Sequence, residues 1–173
     1  MKILTAAAIF LIVLVSFLFL FGLFSDVQTA VGEETIIEAP LSVPMNLLAE
    51  FGDYHLWTNR IKPLSYDPAR GTREVEYRIA SRVLRFNENV RLFTDQRALS
   101  FDQADGFDQS YLRNIRQRIT LKALPDGTTG VRWTLEYEIP SITGRLLNPW
   151  LVAPKFRRFI HTNLSALKDY IER

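Results

Sequence analysis

The sequence contains no cysteine and only two histidines, His55 and His161. The absence of thiols excludes disulfides, thiolate metal sites, haem attachment through cysteine, a lipid-modified cysteine and a cysteine nucleophile. Two imidazoles cannot supply a multi-histidine metal site. The nucleophile-elbow, zinc-protease and glycine-rich nucleotide-binding motifs are also absent. The residues therefore point to no catalytic group, no metal and no cofactor.

Neither sign of charge dominates the chain. Its 173 residues include 21 basic and 19 acidic side chains, which give a formal net charge of +2. This balance lacks the basic excess of a nucleic-acid-binding protein, so we predict no nucleic-acid partner. With 23% charged and 12% aromatic residues, the composition is that of a folded chain of ordinary domain size.

Charge is missing altogether from residues 3–24, which form one long apolar run. As a helix this run would extend about 33 Å, against about 30 Å for the hydrocarbon core of a bilayer. It is longer than the apolar region of a cleavable signal peptide, which spans roughly 7–15 residues. We therefore predict a transmembrane anchor over residues 1–24. Ala30 and Gly32 leave signal-peptide cleavage as the alternative.

The charges that flank the apolar run predict its orientation. Lys2 precedes the run, and the next basic residue is Arg60. Three acidic residues follow the run closely: Asp26, Glu33 and Glu34. Because positive charge stays on the cytoplasmic side, we predict a single-pass protein of the inner (plasma) membrane with a cytoplasmic amino terminus. The polar linker 25–33 and the domain 34–173 would then be exported, to the periplasmic side in a Gram-negative bacterium.

The exported part alternates strand-like segments with turn signals. Two short helical segments, Ser42–Ala49 and Asp53–Trp57, follow the first strand. In the last strand apolar and polar residues alternate, as in an antiparallel sheet that is covered on one face. The predicted strands are Glu34–Ala39, Ile61–Tyr66, Glu74–Ile79, Asn89–Thr94, Ala98–Gln103, Leu112–Leu124 and Thr129–Ile139.

A long amphipathic helix is predicted to cover that face. From Pro154 onward apolar residues recur at helical spacing and fall within about 140° of the helix circumference. The preceding link Gly144–Pro154 contains Pro149 and Pro154, which prevent one continuous helix, so we expect a short helical turn or an ordered loop there. Together these segments predict an α+β fold whose antiparallel sheet wraps a long C-terminal helix.

Four local sequences carry a resemblance to a known superfamily: ETIIEAPLSVPMNLLAEF, GDYHLW, DGTTGVRWTLEYEI and NLSALKDYIE. In this order, from Glu34 to Arg173, the chain resembles a membrane-anchored bacterial member of the START and polyketide-cyclase-like (SRPBCC) superfamily. The resemblance implies a helix-grip fold with a cavity for an apolar molecule such as a lipid, a sterol or a polyketide. Some members are cyclases or hydrolases. The segments Asn87–Ser110 and Gly144–Pro154 depart from the family pattern.

Aromatic residues on the last strand and on the final helix face each other and could line such a cavity, although ordinary core packing is the alternative. The ligand-binding candidates are Trp57, Trp133, Tyr137, Phe156, Phe159 and Asn163. Asn163 stands out because a buried amide needs a partner. That partner is either the sheet backbone or a trapped water, or it is the polar head of a ligand.

The apolar link before the final helix offers candidates for the cavity mouth. Leu147, Trp150 and Leu151 lie in this link, and tryptophan is favoured at membrane interfaces. We therefore predict that these residues border the mouth and let a ligand pass between bilayer and cavity. Simple packing into the core is the alternative.

These patterns favour a membrane-tethered domain that binds an apolar or lipid-like small molecule without chemistry. One alternative is an enzyme of the cyclase or hydrolase kind. Such an enzyme needs polar side chains that converge in the cavity, and the sequence offers only Asn163 and Tyr137. The other alternative is a protein-interaction module whose cavity is filled by its own side chains. The oligomeric state is left open.

Overall fold

The computed structural model describes residues 2–24, 26–103 and 112–173. Its helices are α1 (Lys2–Phe24), α2 (Ser42–Ala49), α3 (Ile142–Leu151) and α4 (Ala153–Ile171), with a 3₁₀ turn at Tyr54–Leu56. Its strands are β1 (Gln28–Ile37), β2 (Ile61–Asp67), β3 (Thr72–Ile79), β4 (Arg82–Phe93), β5 (Ala98–Gln103), β6 (Arg113–Ala123) and β7 (Thr129–Glu138). Part of the unusual segment Asn87–Ser110 lies outside the described residues.

The strands form a seven-stranded sheet in the order β1-β7-β6-β5-β4-β3-β2, and each neighbouring pair is antiparallel. On β7 the buried residues Val131, Trp133 and Leu135 alternate with residues that face outward. The buried stripe of α4 packs on this inner face and contains Phe156, Phe159, Ile160, Asn163, Leu164 and Leu167. The predicted α+β helix-grip architecture is therefore confirmed.

Two strands begin at least six residues earlier than the segments predicted from sequence. β1 begins at Gln28 because its first residues already pair with β7, with Gln28 opposite Glu138. Most of the predicted linker 25–33 is therefore strand, and the folded domain begins before Glu34. β4 begins at Arg82, directly after a two-residue turn in which Ala80 has a positive φ of 54°.

The link predicted over Gly144–Pro154 forms two helices that meet at Val152. Ser141 caps α3, and its Oγ accepts a hydrogen bond of 3.1 Å from the Gly144 backbone N–H. Pro154 lies in the first turn of α4, where its missing N–H costs little. One continuous helix through the link is therefore absent, as predicted, but its first part is a ten-residue helix that contains Pro149 and not the expected short turn or loop.

Helix α1 precedes the sheet and contacts α3. A Cβ added at Gly22 would lie 2.6 Å from Cγ2 of Ile142, so the two helices approach closely at this glycine. No helix of the described residues combines the length and the hydropathy of a membrane span. The predicted transmembrane anchor is therefore not confirmed; the structure establishes a continuous helix over Lys2–Phe24.

Candidate functional site

A buried ion pair lies on the inner face of the sheet. Arg73 on β3 and Glu88 on β4 occupy paired positions, and their side chains are 1% and 3% exposed. Arg73 Nε donates to Glu88 Oε2 at 2.8 Å, and Arg73 Nη2 donates to the Tyr77 hydroxyl at 2.8 Å. That hydroxyl in turn donates to Glu88 Oε1 at 2.8 Å. Three titratable side chains therefore converge in the core.

This network continues across the sheet to the last strand. Gln117 on β6 donates from Nε2 to Glu88 Oε1 at 3.3 Å. Trp133 on β7 donates from Nε1 to Gln117 Oε1 at 3.1 Å. The connected group of Arg73, Tyr77, Glu88, Gln117 and Trp133, here called the interior network, thus joins β3, β4, β6 and β7. It places hydrogen-bonding groups on a wall that is otherwise apolar.

Aromatic rings enclose the guanidinium of Arg73. Its central carbon lies 4.1 Å from the ring centroid of Phe101 and 5.1 Å from that of Tyr54, which are cation–π distances. Arg73 Nη1 is buried and has no hydrogen-bond partner among residues 2–24, 26–103 and 112–173. One charged donor is therefore held in an aromatic surrounding without an acceptor.

Burial and charge fix the protonation of Arg73 and Tyr77. Burial raises the pKa of Tyr77 well above its usual value, although the positive charge of Arg73 opposes this rise. Burial lowers the pKa of Arg73, but the neighbouring Tyr77 and Glu88 outweigh that effect and leave its pKa above the usual value. Arg73 therefore remains a cation and Tyr77 remains a neutral hydroxyl at neutral pH.

Two predicted cavity residues lie at the interior network: Trp133 belongs to it, and Phe159 contacts it. The ring of Phe159 on α4 lies edge-on to Tyr77, with centroids 5.5 Å apart, and edge-on to Trp133, with centroids 6.2 Å apart. Trp133 and Phe159 are 1% and 4% exposed. The predicted meeting of strand and helix aromatics is therefore observed, and in this structure the rings fill the space between them.

Tyr137 and Phe156 form a second aromatic pair, with centroids 4.9 Å apart. The Tyr137 hydroxyl donates to Oδ1 of Asn148 at 2.7 Å, and Nδ2 of Asn148 donates to Oγ1 of Thr29 at 3.0 Å. Burial raises the pKa of Tyr137 to about 12. This chain of hydrogen bonds ties β7 and β1 to α3.

Asn163 is fully buried, and both ends of its amide have protein partners. Its Oδ1 accepts from the Thr58 hydroxyl at 2.6 Å, and its Nδ2 donates to the Phe159 carbonyl at 2.9 Å. The predicted need for a partner is confirmed, and the partners are a threonine and the helix backbone. Trp57, 5% exposed, lies against Tyr54 with ring centroids 5.0 Å apart.

The three predicted mouth residues share one exposed face of α3. Leu147, Trp150 and Leu151 are 43%, 70% and 50% exposed, and their spacing of three and four residues places them side by side. The alternative that they pack into the core is therefore wrong, because Asn148 occupies the inward position of this helix.

Two surface clefts reach the aromatic interior. The β1–β7 cleft, of about 470 Å³, includes Thr29, Gln103, Ile115 and Tyr137 in its lining. The α4 cleft, of about 280 Å³, is lined by residues that include Arg60, Arg78, Lys155, Arg158, Phe159 and Thr162. Tyr137 and Phe159 therefore each contact the interior on one side and a cleft on the other.

Residues 28–172, which cover the sheet and α4, match the family model for polyketide cyclase / dehydrase and lipid transport. The chain belongs to this family. A fold with a helix gripped by an antiparallel sheet and an interior aromatic wall is consistent with that membership. No curated protein matches the chain.

Solved structures share the fold at low sequence identity. A Thermus thermophilus protein, TTHA0849, is 18% identical with a TM-score of 0.68, over 83% of this chain and 97% of that chain. A START superfamily protein from Mycobacterium smegmatis is 15% identical with a TM-score of 0.61, over 83% and 97%. The Zhui aromatase/cyclase from Streptomyces sp. R1128 is 14% identical with a TM-score of 0.65, over 84% and 94%.

Sequence reasoning missed Arg73, Glu88 and Gln117. The signal was present, since Arg73 alternates with Val75 and Tyr77, all buried, in β3. The predicted strands began at Glu74 and Asn89, one residue after each partner of the ion pair, so the alternation was not extended to them. A charged residue at an inward-facing position of an otherwise apolar strand face is the sequence pattern that indicates this site.

Proposed function

We propose that this chain is a membrane-tethered protein that binds an apolar or lipid-like molecule between its sheet and α4. The observation that carries the proposal is the buried Nη1 of Arg73, which has no acceptor in the described part of the chain. A buried donor without a partner costs about 1–3 kcal/mol, and a ligand oxygen would remove that cost. The rings of Tyr54 and Phe101 would contact the apolar part of the ligand.

A cyclase- or hydrolase-type enzyme is the second candidate, because Arg73, Tyr77 and Glu88 supply the converging titratable groups that such an enzyme needs. Two features favour binding over chemistry. The Glu88 carboxylate already accepts hydrogen bonds from Arg73, Tyr77 and Gln117, so it is not presented as a free base. The Tyr77 hydroxyl, whose pKa is raised, holds its proton more strongly than an ordinary tyrosine.

The rings that fill the interior define how a ligand would enter. Phe159 lines the α4 cleft and contacts Tyr77 and Trp133, so displacement of its ring would open a path to the interior network. Tyr137 lines the β1–β7 cleft and contacts Phe156, so displacement of its ring would open that cleft towards α4. The exposed face of α3 with Leu147, Trp150 and Leu151 would then lie against the membrane and border that path. A protein-interaction module whose interior stays closed is the remaining alternative.

Native mass spectrometry of the full chain tests the binding proposal. The protein is extracted gently from membranes in a non-ionic detergent and measured without denaturation. We expect a non-covalent adduct that is lost on denaturation and that extracts into organic solvent. Recovery of the bare chain alone, also after incubation with a membrane lipid extract, would contradict the proposal and favour the closed module.

Helix α1 supports the tether. Its 23 residues correspond to about 35 Å of helix, which is enough to cross a hydrocarbon core of about 30 Å. Its large apolar side chains are exposed where the structure describes them, with Phe10 at 69%, Ile12 at 65% and Phe17 at 63%. With Lys2 on the cytoplasmic side, the domain after α1 would be exported across the inner (plasma) membrane.

A reporter fused after Arg173 tests this topology. We expect an alkaline phosphatase fusion to be active and a cytoplasmic reporter fusion to be inactive, while the intact mass retains residues 1–24. Activity of the cytoplasmic reporter would overturn the orientation. Recovery of a soluble chain that begins near Glu33 would instead show a cleaved signal peptide.

A further inference from the structure

The α4 cleft concentrates positive charge from three separate elements. Arg60 directly precedes β2, Arg78 lies near the end of β3, and Lys155 and Arg158 lie in the first turns of α4. Arg60 and Arg78 are neighbours, because the Arg78 backbone N–H donates to the Arg60 carbonyl at 2.8 Å. The fold therefore brings four cationic side chains to one cleft of about 280 Å³.

No carboxylate belongs to the lining of this cleft as far as the structure describes the chain. None of the four cations forms an ion pair with a described carboxylate. Basic residues on the outer face of the sheet differ in this respect. Arg116, for example, forms an ion pair with Asp102. Like charges gathered without a counter-charge repel one another, and a bound anion would relieve that repulsion.

The remaining lining residues suit an anion attached to an apolar chain. Lys155, Arg158 and Thr162 share one face of α4 by their spacing of three and four residues, so a hydroxyl lies beside the cations. Phe159 forms the apolar wall of the cleft, and its other side contacts Tyr77 and Trp133 in the interior. A charged head in the cleft would thus lie next to the path into the interior.

We propose that the α4 cleft is a binding site for a phosphate-type anion, with the guanidinium groups of Arg60, Arg78 and Arg158 as its main ligands. Guanidinium groups bind phosphate oxygens in a bidentate manner, so a cleft rich in arginine suits phosphate better than one lined by lysines alone. The inference that the phosphate belongs to a lipid headgroup rests on the proposed function, whereas the inference of an anion site does not.

The location of the α4 cleft favours a lipid headgroup as the source of the phosphate. Leu151 at the end of α3 and Lys155 in the first turn of α4 are close in the chain, on either side of Val152. The exposed apolar face of α3 therefore passes directly into the basic start of α4. Such a join of apolar and basic surface matches the boundary between acyl chains and anionic headgroups.

Calorimetric titration of the full chain in non-ionic detergent tests the proposal with three probes: inorganic phosphate, short-chain phosphatidylglycerol and short-chain phosphatidylcholine. Arg158→Glu should lower the affinity for phosphatidylglycerol and for inorganic phosphate by about tenfold or more. Arg157→Glu is the matched control, because Arg157 is exposed on the same turn of α4 but is absent from the cleft lining. It should change either affinity less than about twofold. Arg158→Lys keeps the charge but loses the bidentate guanidinium, so it should lower both affinities by less than Arg158→Glu does and by more than Arg157→Glu does.

The outcomes distinguish a lipid headgroup from a free phosphate as the bound anion, and they distinguish the anion site from the proposed function. Phosphatidylglycerol that binds more tightly than both other probes supports a lipid headgroup, whereas equal affinity for inorganic phosphate supports a free phosphate anion. Equal losses in Arg157→Glu and Arg158→Glu, or no binding of any probe, would overturn the anion site. Native mass spectrometry of the same samples measures the apolar adduct. If the adduct is absent while phosphate still binds, the proposed function is wrong and the anion site stands.

Discussion

At the scale of single residues, two arginine–glutamate ion pairs join β3 and β4, one in the core and one on the outer face. Arg73 and Glu88 face the core, whereas Arg85 and Glu76 form an equivalent pair on the outer face, where Arg85 is 69% exposed. An exposed pair contributes about 0–1 kcal/mol. Breaking a buried pair costs about 3–5 kcal/mol, because one charge stays behind without a partner. The inner pair therefore constrains the core far more than the outer one.

Trp133 should behave as a packed core residue. Trp133→Ala should lower the free energy of unfolding by about 3–5 kcal/mol, because it removes the contact with Phe159 and leaves Gln117 Oε1 without its donor. Trp150→Ala is the control, since Trp150 is 70% exposed, and should change stability by less than about 0.5 kcal/mol. Denaturant titration measures both. Similar small losses would mean that Trp133 lines an open space.

The buried tyrosines predict a loss of stability at alkaline pH. Burial raises the pKa of Tyr54 and Tyr77 above the usual 10.0, and it raises the pKa of Tyr137 to about 12. The unfolded chain releases these protons near pH 10 while the folded chain keeps them. The stabilising contribution is therefore complete below about pH 10 and is lost as the pH rises towards about 12.

The melting temperature between pH 9 and 12 checks this pH dependence. Tyr137→Phe should make the decline shallower, because it removes one of the protons that unfolding releases. Tyr170→Phe, at a tyrosine that is 43% exposed, is the matched control. An equally steep decline in Tyr137→Phe and in the unchanged chain would contradict the assignment of Tyr137.

At the scale of elements, the break between α3 and α4 gives these helices different roles. α4 buries its stripe against the sheet, whereas α3 turns Asn148 inward and presents Leu147, Trp150 and Leu151 outward. A run of apolar exposed residues on one helix face marks an interaction site. Under the proposed tethering by α1, that site would face lipid.

Trp150→Ser combined with Leu151→Ser tests the role of α3. We expect the exchange of a fluorescent lipid between liposomes and the full chain to slow by about tenfold. The melting temperature should change little, because both side chains are exposed. Val83→Ser with Leu92→Ser, two exposed residues of β4, is the matched control and should leave exchange unaltered. Equal exchange in all three proteins would remove α3 from the ligand path.

The bounds of helices and strands were predicted well where residues next to one another in the chain determine them. β5 has the predicted bounds, and α2 and the turn after it lie where the proline and glycine signals indicated. The start of β1 was missed because Gln28–Glu33 is polar, and only its pairing with β7 makes it a strand. The start of β4 was missed because Glu88, a buried charge, interrupts the apolar series of Leu84, Phe86 and Val90 on the inner face.

At the scale of the whole molecule, the aromatic half of the candidate site could be predicted and the polar half could not. Trp133 and Phe159 were found because strand and helix periodicities point them at each other. The ion pair of Arg73 and Glu88 depends on the register of β3 against β4, which local patterns do not specify. Asn163 was found, but its partner Thr58 is distant in sequence and required the fold.

The central claim is that the interior binds an apolar ligand through Arg73. Native mass spectrometry of the full chain should compare Arg73→Lys with Arg85→Lys, because both replace an arginine of a β3–β4 ion pair and keep its charge. A lysine at position 73 can still pair with Glu88 but loses the second guanidinium nitrogen that would meet the ligand. We predict that Arg73→Lys loses most of the bound adduct while Arg85→Lys retains it. Equal adduct in the two variants would contradict the claim.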